Sequence, residues 1–239
     1  DGCIKFAMLT GVTKFGKVSV FSDLNNLKDI SLDNRYYNLC GIDEGELHGV
    51  FEPYVQRLAD SQNITLDKAY SELKRNYDGY HFSKNMVGMY NPFSLLNAFD
   101  SLEIGSYWFE TGTPSYLVEL MQDQDMKLWN ITKKLVSSDV LNSVDIATTE
   151  PISVIFQSGY LTIKGYKNEY DGYLLGFPNE EVKRGFLRYL IPRYTSVRPS
   201  DTAFEIESFV EEVRGGDISG FMKRLKSFFA NTPYDLIKD

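Results

Sequence analysis

The chain has 239 residues, of which 43% are hydrophobic and 14% aromatic, so it can bury a core and is not expected to be disordered. Its net charge of -8 disfavours non-specific binding to polyanions, and no run approaches the roughly 20 apolar residues of a membrane span. Two histidines and two cysteines, in no metal or disulfide pattern, leave little material for a histidine-rich metal centre or a Ser-His-Asp triad. With no signal peptide at its first residues, the chain is predicted to be cytoplasmic.

The first predicted element is a buried strand at residues 4–9, a short apolar run that ends at Thr10 and Gly11. A buried strand needs neighbours at both edges, so we expect its sheet to require sequence upstream of this chain. A second extended piece at residues 18–21 leads into an Asn/Asp-rich turn region. These segments form the first predicted unit, residues 1–37.

The stretch GVTKFGK at residues 11–17 has the G-x-x-x-x-G-K spacing of a phosphate-binding loop. Val18 stands where that motif has the Ser or Thr that holds magnesium. Residues 18–21 are β-branched and aromatic, which favours a strand where a phosphate loop needs a helix. We therefore expect no working phosphate loop here.

The second predicted unit, residues 38–145, is helical. Apolar side chains at three- and four-residue spacing predict a helix through residues 42–58. A helix starting at Thr65 is expected to end near residue 76. Two more helices are expected to open with a capping residue followed by proline, at Asn91-Pro92 and Thr113-Pro114.

Residues 78–82 (DGYHF) admit two interpretations. The favoured one is a turn in which Gly79 takes a positive φ and the aromatic side chains pack inward. The other is a functional loop, in which an exposed His81 beside aromatic rings binds a ligand or nucleobase.

The third predicted unit, residues 146–200, is winged-helix-like. It has a helix from residue 151 that a glycine ends, strands at 161–164 and 173–177, and a further helix at 179–194. Residues 151–200 carry seven basic and four acidic side chains. This local excess marks candidate nucleic-acid contacts at Lys164, Lys167, Lys183, Arg184 and Arg188.

The last predicted unit, residues 201–239, contains an amphipathic helix. Its apolar stripe consists of Ile218, Phe221, Met222, Leu225, Phe228 and Phe229. We expect the stripe to pack on another part of the polypeptide or to cause self-association.

Six stretches, in order along the chain, carry a family resemblance: residues 9–15 (LTGVTKF), 21–27 (FSDLNNL), 77–82 (YDGYHF), 90–94 (YNPFS), 107–114 (YWFETGTP) and 157–163 (QSGYLTI). Together they resemble bacterial AAA-ATPase-like proteins, a family often fused to a PD-(D/E)XK nuclease domain. The resemblance implies a mixed α/β, mostly helical fold: the end of a P-loop-type core, a helical lid, a winged-helix-like unit and a C-terminal amphipathic helix.

The resemblance also implies where nucleotide would bind. In that family the phosphate loop and the magnesium-binding acidic strand lie upstream, so Thr10, Thr13 and Lys14 would lie near the nucleotide. Alternatively, Thr10 and Thr13 only cap the junction of a strand and a loop. ATP and magnesium are expected for a longer parent protein, and no cofactor for this chain alone.

The nuclease-like domain would begin near residues 216–234, with its catalytic residues further downstream. No residue of this chain is therefore nominated as catalytic, and whether the parent is an enzyme stays open.

Three functions follow from these features. The leading hypothesis is a non-catalytic sensor, lid and winged-helix segment whose partners are the upstream ATPase half and the downstream domain of the same polypeptide. The second is a nucleic-acid-binding module with weak affinity for DNA. A stand-alone NTPase that uses residues 11–17 is the third, disfavoured by Val18. No membrane partner is expected.

Overall fold

The computed structural model describes residues 5–11, 28–108, 135–142, 151–194, 204, 207–208, 211–212 and 215–230. About half of these residues lie in helices, and three short strands form one antiparallel sheet. The predicted mixture of α and β structure, with more helix than strand, is confirmed. None of the helices in these ranges is long and apolar enough to cross a membrane.

The elements follow one another in a simple order. The first helices are α1 (Glu44–Gly49), α2 (Glu52–Gln62), α3 (Leu66–Tyr77) and α4 (Pro92–Ser101). The sheet region comprises β1 (Leu135–Ser137), α5 (Ser138–Leu141), α6 (Pro151–Gln157), β2 (Thr162–Lys167), a 3-10 turn (Asn168–Tyr170) and β3 (Gly172–Gly176). Two further helices are α7 (Glu180–Tyr194) and α8 (Ile218–Ala230).

Side chains at the helix starts explain where the first helices begin. Asp43 accepts a hydrogen bond from the Glu46 amide at 2.7 Å, and the Glu46 carboxylate accepts one from the Asp43 amide at 3.0 Å. Thr65 caps α3, and the predicted start of a helix at this residue is confirmed. Asn91 caps α4 with Pro92 in its first turn, which confirms the third predicted helix.

The single helix predicted through residues 42–58 is two helices, α1 and α2. Pro53 lies in the first turn of α2. In a continuous helix its missing N–H would leave the carbonyl of Gly49 without a partner, and its ring would clash with that carbonyl. The chain therefore breaks at residues 50–51 and starts again.

Helices α1 to α4 enclose the first of two hydrophobic cores, called here the helical core. Its buried members are Ile42, Leu47, Val55, Leu58, Ala59, Ala69, Leu73, Tyr77, Tyr90, Leu95, Ala98 and Phe99. At about 25 cal/mol per Å² of apolar surface removed from water, burial of such side chains is the main force that holds these short helices together.

The second core, called here the sheet core, lies between the sheet and its helices. Its buried members are Tyr80, Met89, Val136, Leu141, Ile152, Val154, Ile155, Tyr160, Leu161, Ile163, Tyr173, Leu175, Val182 and Phe186. The strand order is β1-β3-β2, with Val136 opposite Tyr173 and Ile163 opposite Leu175. The edge strand β1 thus comes from residues upstream of the unit boundary predicted at residue 146.

The predicted helix-strand-loop-strand-helix order of this region is confirmed. Helix α6 ends before Gly159, which takes a φ of +82°. Strands β2 and β3 each begin or end within a few residues of the predicted positions. Helix α7 starts at Glu180 and α8 covers the predicted apolar stripe.

The predicted strand at residues 4–9 is wrong for residues 5–9. These residues have no regular structure, and Phe6 and Leu9 are 83% and 64% exposed. A strand needs a partner for its backbone N–H and C=O groups, and no described strand pairs with this segment. The predictions for residues 18–21 and for the helix at Thr113-Pro114 lie outside the described residues.

Candidate functional site

Residues 77–82 join the two cores. Tyr77 ends α3 with its ring in the helical core, and Tyr80 lies in the sheet core. Between them Gly79 has a φ of +105°, a backbone conformation that residues other than glycine rarely adopt. The backbone of Tyr80 then pairs with Met89 through hydrogen bonds of 3.2 and 2.9 Å. Two features of the favoured interpretation are confirmed: Gly79 has a positive φ, and the aromatic side chains of Tyr80 and Phe82 pack inward.

Lys164 fastens this turn to the sheet region. Its ammonium group donates to the backbone carbonyls of Gly79 and Pro178, each at 3.1 Å. A Cβ atom on Gly79 would come within 2.3 Å of the Pro178 oxygen, so the two backbones approach as closely as a glycine allows. Burial lowers the pKa of Lys164 below its ordinary value.

Asp78, beside this contact, is a partly buried carboxyl group. Its Oδ1 atom is shielded from solvent and has no hydrogen-bond partner among the described residues. Burial raises the pKa of Asp78, opposed chiefly by the amide of Gly79. Asp78 also occupies the C-cap position of α3, where the helix dipole disfavours negative charge.

Glu181 makes the second connection between the cores. Its Oε1 accepts hydrogen bonds from the backbone amides of Tyr107 at 2.6 Å and Trp108 at 2.9 Å, and its Oε2 accepts one from the Ser94 hydroxyl at 2.7 Å. The residue is only 3% exposed. Burial raises the pKa of Glu181, and the three donors partly offset this by stabilising the charged form. One carboxylate of α7 thus holds α4 and the segment after it.

His81 is fixed by backbone groups on both sides. Its amide donates to the Thr162 hydroxyl at 2.7 Å, and that hydroxyl donates back to the His81 carbonyl at 3.0 Å. Its Nδ1 lies 2.7 Å from the carbonyl of Ile163, which can only accept, so Nδ1 carries the proton. Burial lowers the pKa of His81, and the neutral ring presents Nε2 as an acceptor.

A cavity of about 330 Å³ opens beside this turn. Four parts of the chain line it: the segment 8–11, the loop 30–40, the turn residues 80–82, and the ends of α5 and α6 with the start of β2. Its size is at the lower end of the ~300–1,000 Å³ typical of small-molecule sites.

The structure separates the sequence-predicted site residues. Thr10 lines the cavity together with Gly11, whereas Thr13 and Lys14 lie outside the described residues. The ammonium group of Lys164 is already hydrogen-bonded to two backbone carbonyls. Lys167 is exposed at the end of β2.

Three of the predicted basic contacts lie together on α7. Lys183 and Arg184 each form an ion pair with Glu180, at 3.3 and 3.4 Å, and both side chains are about half exposed. Arg188 is exposed one turn further on. The structure therefore brings Lys183, Arg184 and Arg188 to one helix and places Lys164 elsewhere.

Sequence reasoning missed Glu181. In the stretch NEEVKR it looks like part of a solvated charge run, and its neighbour Glu180 is indeed paired at the surface. A buried member of such a run becomes recognisable only when the register of the helix against its neighbours is known. Among the described residues no group of three or more His, Cys, Asp and Glu side chains could hold a metal ion.

Comparison with known proteins shows similarity to a bacterial protein. The chain is 35% identical over 237 residues to an uncharacterised protein in the vnfD 5′ region of Azotobacter chroococcum mcd 1. The match covers 98% of this chain and 43% of that protein, so the chain spans less than half of its relative's length. No family model matches the sequence, and no solved structure matches it.

Proposed function

We propose that the chain is the non-catalytic sensor, lid and winged-helix part of an AAA-ATPase-like protein, with Thr10 reporting the state of a nucleotide. The observation that carries this proposal is the position of Thr10. It lines the same cavity as Tyr80 and His81, which belong to the turn between the two cores. A change at Thr10 would therefore reach the point where both cores meet.

Two charged side chains connect the turn and the helical region to the sheet region, so a movement of the turn would be transmitted between the cores. Lys164 holds Gly79 to the sheet region, and Glu181 holds the end of the helical region to α7. Because both bonds go to backbone atoms, a shift of the turn must move one core relative to the other or break these hydrogen bonds.

The winged-helix part of the proposal is supported by topology. Strand β1, helices α5 and α6, and then the hairpin of β2 and β3 follow in that order, with β3 central in the sheet. The short connection between β2 and β3, from Asn168 to Asp171, would be the wing.

The described residues do not fit a phosphate site of their own. Among them no Lys or Arg lines the cavity. ATP and magnesium would then be held by sequence upstream of this chain, and Thr10 would contact the nucleotide from one side. When bound, ATP would supply the phosphoryl group that is hydrolysed. This chain would contact the nucleotide through Thr10 and respond to its state.

Calorimetry with magnesium and ATP tests this division of labour. The isolated chain is expected to show no saturable binding at micromolar nucleotide, since Val18 removes the metal-binding hydroxyl. In a longer protein that includes a phosphate loop, Thr10→Ala should lower ATP turnover, whereas Ser31→Ala, at the same cavity, should not. Tight magnesium-dependent binding by the isolated chain, abolished by Lys17→Ala, would overturn the proposal.

A second candidate function is weak binding to DNA through α7. The observation in its favour is the exposed cluster of Lys183, Arg184 and Arg188. A DNA-reading helix must be exposed, and α6 is buried from Pro151 to Ile155, so contacts would fall to α7.

A gel shift at low salt tests this candidate. Lys183→Glu combined with Arg184→Glu should abolish a complex that fades as salt rises. Lys223→Glu combined with Lys226→Glu, the same change of charge at exposed positions of α8, is the control and should leave the complex in place. An unchanged complex in the double variant would exclude α7 as the binding surface.

A further inference from the structure

The walls of the cavity beside Thr10 carry no charged side chain among the residues that the structure describes. Most of the lining is apolar or aromatic, contributed by residues such as Leu32, Leu161 and Phe156. An ion in such a cavity would lose its hydration without gaining a partner of opposite charge. The cavity therefore favours an uncharged occupant.

Aromatic rings give the cavity a preference for flat molecules. Tyr36, Tyr37, Phe82 and Phe156 all line it. The guanidinium of Arg35 lies 5.6 Å from the centre of the Tyr36 ring, which restrains that ring. A planar ring can stack or pack edge-on against several of these side chains, whereas an alkyl chain cannot.

Three of the polar groups that line the cavity are already engaged within the protein. The Tyr80 hydroxyl donates to the Gly159 carbonyl at 3.1 Å, and the Thr162 hydroxyl is occupied by the His81 backbone. The Nδ1 proton of His81 is committed to Ile163. Nε2 of His81 makes no hydrogen bond among the described residues and can only accept.

We propose that this cavity binds an uncharged bicyclic heteroaromatic molecule whose ring N–H donates a hydrogen bond to Nε2 of His81. The site goes beyond nucleotide sensing, because it requires neither phosphate nor magnesium and does not depend on the family resemblance. It gives His81 a ligand-binding role inside a turn that is otherwise structural. An occupant would contact the segment 8–11 and the turn 80–82 together.

Indole and 1-methylindole form a matched pair of probes, since a methyl group in the second replaces the ring N–H of the first, and the His81→Phe variant below controls for the added methyl. By isothermal titration, indole should bind the chain with a Kd on the order of 0.1–1 mM, as expected for a ligand of this size. Loss of one neutral hydrogen bond should weaken 1-methylindole about fivefold. Indole-3-acetate, with its carboxylate, should bind at least about tenfold more weakly than indole.

His81→Phe tests the hydrogen bond itself. In this variant indole and 1-methylindole should bind equally, because the acceptor is gone while an aromatic ring remains. An undiminished preference for indole in a folded His81→Phe protein would overturn the proposal, as would the absence of saturable indole binding by the wild type.

Cys40 locates the site without altering the turn. It is exposed and lines the cavity, so Cys40→Trp should fill the space and abolish indole binding, whereas Cys40→Ser should not. In a Cys3→Ser background, indole should also slow the labelling of Cys40 by a maleimide. Equal indole affinity in the Trp and Ser variants would show that indole binds elsewhere and refute the assignment.

Discussion

Glu181 is a buried carboxylate whose partners, within the part of the chain that the structure describes, are neutral hydrogen-bond donors. Its value to the fold lies in satisfying two backbone amides that would otherwise be buried without acceptors. The negative charge itself is unfavourable in this position, since burial raises the pKa of Glu181. Mutation can therefore separate the contribution of the Glu181 hydrogen bonds to stability from that of its charge.

Replacing Glu181 with alanine should destabilise the protein by about 3 kcal/mol, because the amides of Tyr107 and Trp108 lose their acceptor. Glu181→Gln keeps an oxygen for both amides and a polar contact to Ser94, and should be at least as stable as the wild type at pH 7. Glu180→Gln, at the exposed neighbour, should change stability by less than about 0.5 kcal/mol. Urea denaturation measures all three, and an equal loss in the Gln and Ala variants would contradict this account.

The pH dependence of stability gives an independent check on Glu181. A carboxyl group whose folded pKa is raised contributes stability that is present below its ordinary value of 4.5 and is lost as pH rises through the folded pKa. The stability of Glu181→Gln relative to the wild type should therefore increase with pH across that window. If the wild type instead became more stable relative to the Gln variant as pH rises over this range, the pKa of Glu181 would not be raised in the folded protein.

At the scale of elements, the turn at residues 77–82 depends on a glycine. Gly79→Ala should cost at least about 2 kcal/mol, from a strained positive φ and from contact with the Pro178 carbonyl. Gly49→Ala is the matched control, because nothing lies within 4 Å of its added Cβ and alanine favours the end of α1. That variant should be neutral or more stable by up to about 1 kcal/mol. Equal changes in the free energy of unfolding for the two substitutions, measured by urea denaturation, would show that alanine at position 79 causes no strain.

The sequence specified the elements whose signals are local. Capping by Thr65 and Asn91, the glycine after α6 and the stripe of α8 could all be recognised because each depends on neighbours within a few residues. The strand at residues 5–9 failed for the opposite reason, since apolar character alone does not supply a pairing partner. Strand β1 is too short, at three residues, to have a pattern of its own.

The candidate site was predictable only in part. Thr10 was singled out through a resemblance, and His81 as one of two interpretations of a turn. The tautomer of His81 and the burial of Glu181 arise from contacts between residues about 70 to 90 positions apart, and the cavity joins segments up to about 150 positions apart. No local pattern encodes such contacts.

For the molecule as a whole, α8 leaves an apolar surface open. Ile218 and Met222 are 74% and 54% exposed, while Phe221 and Leu225 are half-buried. We expect this exposed pair to cause self-association at high protein concentration. Ile218→Glu with Met222→Glu should give a monomer of unchanged stability.

Phe221→Glu with Leu225→Glu is the matched control on the same helix. It should lower the stability of the chain, because half-buried apolar side chains are replaced by charges. Light scattering and urea denaturation together separate the two effects. A wild type that stays monomeric at high concentration would refute the self-association.

The sequence positions of the two cores have a consequence during synthesis. The helical core uses residues 42 to 99, whereas Glu181, which closes the junction, is made 74 residues after Tyr107. At about 5–20 residues per second, a ribosome needs on the order of 4–15 s to cover that interval. The nascent helical region would spend those seconds with the amides of Tyr107 and Trp108 bonded to water and with Tyr80 uncovered, a period in which a chaperone could bind it.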